Sequence, residues 1–269
     1  MTHKRYLTHA VCVVILLLSI SNMSRAQQAL DIAVLGDSNT WLGGDDCSKQ
    51  KGWTYWFCQI LQPSSCRSYA RSGATWTNTQ RTVYNTTEDI GVLGDDNVIY
   101  NQVMRLKEAY DNGTQPQPNL IIIAAGTNDV WFLDKRPDAL SQPADAAFRS
   151  KAVKDDTPAS QILTLASSVK YDCDLLHRYF PEARLLLLTP LQTTAADVKL
   201  IREAGDIIEG CAAKLGAEVI RQDKVMKVVS SSERKKHKYT YDGTHTNELG
   251  ARSNGEYIAK FLTEEKNKK

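Results

Sequence analysis

Five short runs with the length and content of buried strands constrain this chain most: Leu30–Leu35, Cys66–Arg71, Leu120–Ala124, Leu185–Leu188 and Ala217–Arg221. Brief apolar runs without polar alternation suit strands covered on both faces, the pattern of a parallel sheet. Helical segments alternate with them. Trp53–Leu61 lies between the first two runs, and Ile99–Tyr110 precedes the third. Thr157 followed by Pro158 predicts a helix start, a cap and then proline in the first turn. From there Ile162, Leu165, Val169, Cys173 and Leu176 recur at helical spacing until Pro181. A further helix is expected from near Thr194, with Val198, Ile201, Ile208, Cys211 and Leu215 on one face and Gly216 as its stop. The last helix is expected over Gly250–Leu262. This alternation predicts an α/β fold: a three-layer α/β/α sandwich around a flavodoxin-like five-stranded parallel sheet, ordered 2-1-3-4-5.

Residues 1–26 stand apart from that pattern. His3, Lys4 and Arg5 precede an apolar stretch from Ala10 to Ile20, and Ser24-Arg25-Ala26 supplies small residues for cleavage. The stretch is shorter than the roughly 20 residues a bilayer span needs, so a secretory signal peptide is expected. Cys12 lies inside it without a lipobox, which argues against a lipid anchor. Residues 27–269 then form one expected domain, exported to the periplasm or outside the cell, with no stable membrane insertion after cleavage. A net charge of +2 from 33 basic and 31 acidic residues offers no field for nucleic acid. Five cysteines follow the leader, Cys47, Cys58, Cys66, Cys173 and Cys211, and an oxidising compartment would let some pair. The first three are close enough for one local bridge, but spacing does not choose the pair. Cys173 and Cys211 fall on apolar helix faces, and no spacing resembles a zinc site. Oligomeric state is not legible.

The ends of the strands carry the chemistry. Gly36-Asp37-Ser38-Asn39-Thr40 follows the first strand, at the crevice where open α/β sheets bind ligands. Alone, such a serine most often caps a helix. Two hundred residues on, Asp242-Gly243-Thr244-His245 offers a base and an orienting carboxylate three residues apart. A serine hydroxyl needs a base to take its proton, and an imidazole needs a carboxylate to fix its tautomer. Between them lies Gly126-Thr127-Asn128-Asp129, after the third strand. Neither His177 nor His237 has a carboxylate at such spacing.

These pieces resemble the SGNH (GDSL) hydrolase family, named for a serine, glycine, asparagine and histidine in four blocks. The blocks here are Gly36–Thr40, then Ala70-Arg71-Ser72-Gly73-Ala74, then Gly126–Asp129, then Asp242–Asn247, in the family's order. The second is the weakest match, because the family's usual asparagine there is missing. The resemblance implies ester hydrolysis through an acyl-enzyme, with no metal or organic cofactor. By that resemblance Ser38 is the nucleophile, His245 the base and Asp242 its orienting partner. Ser38 N–H, Gly73 N–H and Asn128 would hold the oxyanion, while Asp129 and Asp37 are structural.

Trp41, Trp76 and Trp131 each follow a motif by a few residues and are expected to bind substrate, against the plainer reading that they pack loops onto the sheet. Three aromatics, a leader and polar loops favour an exported carbohydrate acetyl esterase. A lipid or thioester acylhydrolase, acyl transfer to a sugar, and a secreted carbohydrate-binding protein without turnover remain alternatives.

Overall fold

The strands form where the runs lie: β1 (Asp31–Gly36), β2 (Ser65–Ser68), β3 (Leu120–Ala124), β4 (Arg184–Leu188) and β5 (Glu218–Ile220). They pair in parallel in the order β2-β1-β3-β4-β5, the expected arrangement. The computed structural model describes residues 30–149 and 157–266. The expected leader, residues 1–26, lies outside the described residues. Helices α1 (Ser38–Trp41), α2 (Trp53–Leu61), α3 (Ile99–Asp111), α4 (Thr127–Trp131), α5 (Ala144–Arg149), α6 (Leu165–Tyr179), α7 (Val198–Leu215), α8 (Gln222–Val225), α9 (Ser230–Lys236) and α10 (Glu248–Lys266) join the strands.

Side-chain alternation along the strands builds two cores. Ala33, Leu35, Ile121, Ile123, Leu185 and Leu187 pack with Val103 and Leu106 of α3, Val169 and Cys173 of α6, and Ile208 and Cys211 of α7. Their neighbours Ile32, Val34, Ile122, Leu186 and Leu188 are equally buried on the other side of the pleat. There α2 and α10 pack together, with Phe57, Ile258 and Leu262 buried and the Arg252 guanidinium 5.2 Å from the Trp56 ring centre. The central strands β1, β3 and β4 are thus apolar on both faces, whereas the edge strand β2, Ser65–Ser68, is polar and mostly half-buried.

Two helices start later than the sequence predicts. Leu165, not Pro158, opens α6: Thr164 is the cap, accepting the Ser167 N–H at 3.3 Å, and Ala159–Gln161 is only a 3-10 turn. Ile162 is buried but outside the helix. Likewise α7 begins at Val198 behind Asp197, whose carboxylate accepts the Lys199 N–H at 2.8 Å. Thr194 lies outside it, and its N–H donates to the Gly243 carbonyl at 2.9 Å, bracing another loop. Gly216 ends α7 in the left-handed region, as expected.

Asp172 of α6 is fully buried, and among the described residues neither carboxylate oxygen has a hydrogen-bond partner. Desolvation, with a smaller push from Asp129, holds its carboxyl well above the ordinary value. The folded chain therefore keeps a proton that the unfolded chain releases near pH ~4. That contribution to stability is full below the unfolded value and is lost as pH rises towards the folded one. Asp172→Asn is expected to gain on wild type between pH 4 and pH 7, read by urea denaturation at both. An equal gap at the two pH values would mean that ionisation is not the cause.

Candidate active site

β1 delivers its last residue into a tight frame. The Gly36 N–H donates to Gln102 Oε1 at 2.8 Å, and Gln102 Nε2 donates back to the Gly36 carbonyl at 2.9 Å. A Cβ on Gly36 would lie 2.6 Å from the Ala124 carbonyl oxygen and 2.8 Å from Thr40 Oγ1, so only glycine fits. Asp37 follows as the cap of α1, accepting the Asn39 N–H at 3.1 Å. Burial pushes its carboxyl up to about 7, against the opposing pull of that hydrogen bond and of nearby His245. Ser38 is the first residue of the helix, so its N–H has no acceptor within the helix.

Across from it, the loop between α9 and α10 presents His245. Its Nε2 lies 3.0 Å from Ser38 Oγ, and its Nδ1 lies 2.7 Å from Asp242 Oδ2. The other oxygen, Asp242 Oδ1, accepts the backbone N–H groups of Thr244 at 2.9 Å and His245 at 2.8 Å. One carboxylate therefore shapes its own loop and holds the ring. Partial burial alone would raise the Asp242 carboxyl, but the bonds from His245 and Thr244 outweigh it and hold it below its ordinary value. His237 points elsewhere, with Nδ1 3.1 Å from the Tyr241 carbonyl.

Asn39, which the sequence does not single out for function, bolts the two halves together. Its Oδ1 accepts the Thr246 N–H at 2.9 Å and the Thr246 hydroxyl at 3.2 Å, while its Nδ2 donates to the Thr244 carbonyl at 3.3 Å. These bonds span more than 200 residues of chain, and no local pattern announces them. Buried Glu233 supports the same loop, accepting the Thr240 N–H at 3.0 Å and the Tyr239 N–H at 3.1 Å.

The expected oxyanion donors sit on the neighbouring strand ends. Gly73 turns with φ +80°, and among the described residues its N–H, like that of Ser38, donates to no backbone group. Asn128 Nδ2 donates to the Ala74 carbonyl at 2.9 Å, which fixes the amide beside this turn and leaves its second N–H. The segment before Gly73 is held by side chains from a distance. Asn97 Nδ2 donates to the Ser72 carbonyl at 2.7 Å. Arg71 adds ion pairs to Asp45 at 3.0 Å and Glu88 at 3.1 Å. Asp129 is structural, as expected: it accepts the Thr77 N–H at 2.8 Å and the Trp76 N–H at 3.1 Å, and burial raises its carboxyl.

The three tryptophans part company. Trp41 is 47% exposed and lines a cleft of ≈ 500 Å³ with Asp45, Arg71, Ser72, Glu88 and the segment Asp89–Val92. Trp131 is exposed beside Phe132 but does not line that cleft. Trp76 is fully buried in the core, so it packs its loop onto the sheet and cannot bind substrate.

A family model, the GDSL-like lipase/acylhydrolase family, matches residues 34–252, a span that runs from β1 through His245. The chain belongs to that family. It is a GDSL-type esterase, a hydrolase of carboxylic esters. No curated protein matches the sequence. Solved structures share the fold at low identity. A candidate GDSL-like lipase from Bacteroides ovatus is 16% identical over 88% of this chain and 100% of its own, with a TM-score of 0.55. A member of the lipolytic G-D-S-L family from Veillonella parvula is 13% identical over 87% and 99%, with a TM-score of 0.52. The lipase/acylhydrolase from Enterococcus faecalis is 16% identical over 88% and 97%, with a TM-score of 0.50.

Two variants test how this GDSL site is held. Asn39→Ala leaves the Thr246 N–H and Thr244 carbonyl without their partner, a cost of about 1–3 kcal/mol per buried group. Its kcat on an ester substrate is expected to fall at least about tenfold with KM within about twofold, since it is alignment that suffers. An unchanged kcat would remove Asn39 from the machinery. In Gly73→Ala the new Cβ would meet Val92 Cγ1 at 2.4 Å in a left-handed turn. Losing an oxyanion donor typically costs about a hundred- to a thousand-fold in kcat, the size of loss expected from steady-state kinetics on the folded variant.

Proposed function

We propose that this esterase is exported and removes small acyl groups, acetyl first, from a carbohydrate. The reading rests above all on the open cleft beside the Ser38 helix. An exposed indole face at Trp41 suits stacking on a sugar ring, and Asp45, Glu88 and Asp89 offer carboxylates to its hydroxyl groups. Among the described residues no helix is long and apolar enough to cross a membrane.

The chemistry follows from the Ser38–His245–Asp242 chain of contacts. Ser38 Oγ attacks the acyl carbonyl while His245 Nε2 takes its proton. Asp242 keeps the proton of His245 on Nδ1 and steadies the imidazolium that forms. The developing oxyanion is met by the Ser38 and Gly73 N–H groups and the Asn128 amide. His245 returns the proton to the leaving sugar oxygen, then activates the water that hydrolyses the acyl-serine.

A second reading, hydrolysis of longer acyl chains, draws support from one observation. Val92, which lines the same cleft, is about half exposed at 50%. Hydrolysis of p-nitrophenyl esters from acetate to octanoate, with release of acetate from an acetylated xylo-oligosaccharide, separates the two. Small-acyl specificity predicts turnover falling steeply beyond acetate and acetate release from the sugar. Turnover rising with chain length would move the assignment to lipids. Ser38→Ala is expected to lose activity by about 10⁴-fold or more on every ester. Equal rates for this variant and wild type would remove Ser38 as nucleophile.

A further inference from the structure

Cys47, Cys58 and Cys66 come from three different elements and converge on one point. Cys47 lies in the loop that follows the nucleophile helix, Cys58 in α2 and Cys66 in β2. Their sulfur atoms all lie within 4.8 Å of one another, and Cys47 and Cys66 stand 3.4 Å apart. Cys47 is buried and held at φ +58°, a left-handed conformation that costs a non-glycine residue about 1–2 kcal/mol. The loop is thus bent to bring that sulfur inward.

We infer that these residues form a built-in thiol–disulfide relay, in which Cys58 is the entry thiol and a Cys47–Cys66 bond is the product. The oxidant is a disulfide donor, such as oxidised glutathione. The Cys58 thiolate attacks a donor sulfur, forming a mixed disulfide and expelling one donor thiolate. Cys47 attacks Cys58 Sγ, which forms Cys47–Cys58 and expels the second donor thiolate. Cys66 then attacks Cys47 Sγ, transferring the bond to Cys47–Cys66 and restoring the Cys58 thiolate. The protons of Cys47 and Cys66 end on the two donor thiols, and the donor gains the two electrons.

Geometry and electrostatics agree on these roles. Cys58 and Cys66 are only partly covered, whereas Cys47 is buried. Hydrogen bonds from Cys47 and Cys66 favour a thiolate on Cys58, lowering it to about 4, and the same bonds raise the two donors. A low-lying, accessible thiol is the one that reacts first. A zinc site fits less well. Structural zinc almost always takes four ligands, and among the described residues no fourth cysteine, histidine or carboxylate joins the three.

The bond would also brace the catalytic edge. Two residues before Cys47, Asp45 accepts the Ser68 N–H at 2.7 Å and pairs with Arg71. Arg71 leads into the Gly73 turn, so a Cys47–Cys66 link ties the loop after Ser38 to the strand that carries this turn.

The relay rests on the export reading, yet its test reads sulfur chemistry and not ester turnover, so the two can fail separately. The full chain, reduced and then exposed to oxidised glutathione, is alkylated and digested without reduction for mass spectrometry. The expected end product links Cys47 to Cys66, with Cys58 alkylated. Cys58→Ser should slow formation of that bond at least tenfold without changing the product. In Cys47→Ser, Cys66, also within 4.8 Å of Cys58, should displace the glutathione and leave a Cys58–Cys66 bond. A final Cys47–Cys58 bond, or three thiols still alkylatable in wild type, would overturn the relay without recourse to any variant. Retention of one equivalent of Zn²⁺ by the reduced chain on equilibrium dialysis would overturn it in favour of a metal site.

Discussion

The parallel pairing of β2, β1 and β3 is the constraint on which the rest of the structure depends. Its register sets Gly36 beside Ala124 and Val34 beside Ser68, so three strands finish along one edge. Each then releases one part of the site: Ser38 after β1, Gly73 after β2 and Asn128 after β3. In a parallel sheet this edge also collects unpaired backbone groups, which is where such folds bind ligands. Two bonds close the edge further, from the Asp37 N–H to the Ala124 carbonyl and from the Arg71 N–H to the Gly36 carbonyl, both at 3.1 Å. A one-residue slip of β1 would turn Gly36 into the core and carry Ser38 out of reach of His245.

His245 has no strand to place it. Its loop is positioned instead by the side chains of Asn39 from the nucleophile helix, Glu233 from α9 and Asp242 from within, and by the backbone N–H of Thr194 from the segment before α7. Such a loop is only as rigid as its hydrogen bonds, and nearly all of them run to backbone atoms. That arrangement fixes the path of the chain first and the imidazole second.

The fold was legible because the central strands are apolar on both faces, and that leaves a signal in consecutive residues such as Leu120–Ala124. The reactive groups were legible for a different reason. Ser38, Asp242 and His245 sit in short motifs whose spacing alone suggests their chemistry. What could not be read is whatever depends on distant partners. Asn39 and Asn97 look like ordinary polar loop residues until Thr246 and Ser72 are brought against them. Trp76 shows the opposite failure: its position after a motif suggests substrate contact, but Asp129 draws its backbone inward and the indole fills the core. The approach of Cys47 Sγ to Cys66 Sγ, 3.4 Å apart, is of the same non-local kind.

Three buried aspartates show how the chain divides stability from function. Asp37, Asp129 and Asp172 all have carboxyls raised by burial. The first two accept backbone N–H groups, Asp37 from Asn39 and Asp129 from Trp76 and Thr77. Those bonds offset part of the desolvation cost and in return fix the start of the nucleophile helix and the loop beside the oxyanion turn. Among the described residues Asp172 accepts none, and it stands on a helix behind that loop. Its electrostatic link is to Asp129, so ionising either one makes ionising the other harder. The sheet edge therefore carries its polar groups in a graded way: those that define the reacting geometry are bonded to the backbone, and strain is left where the chemistry does not reach.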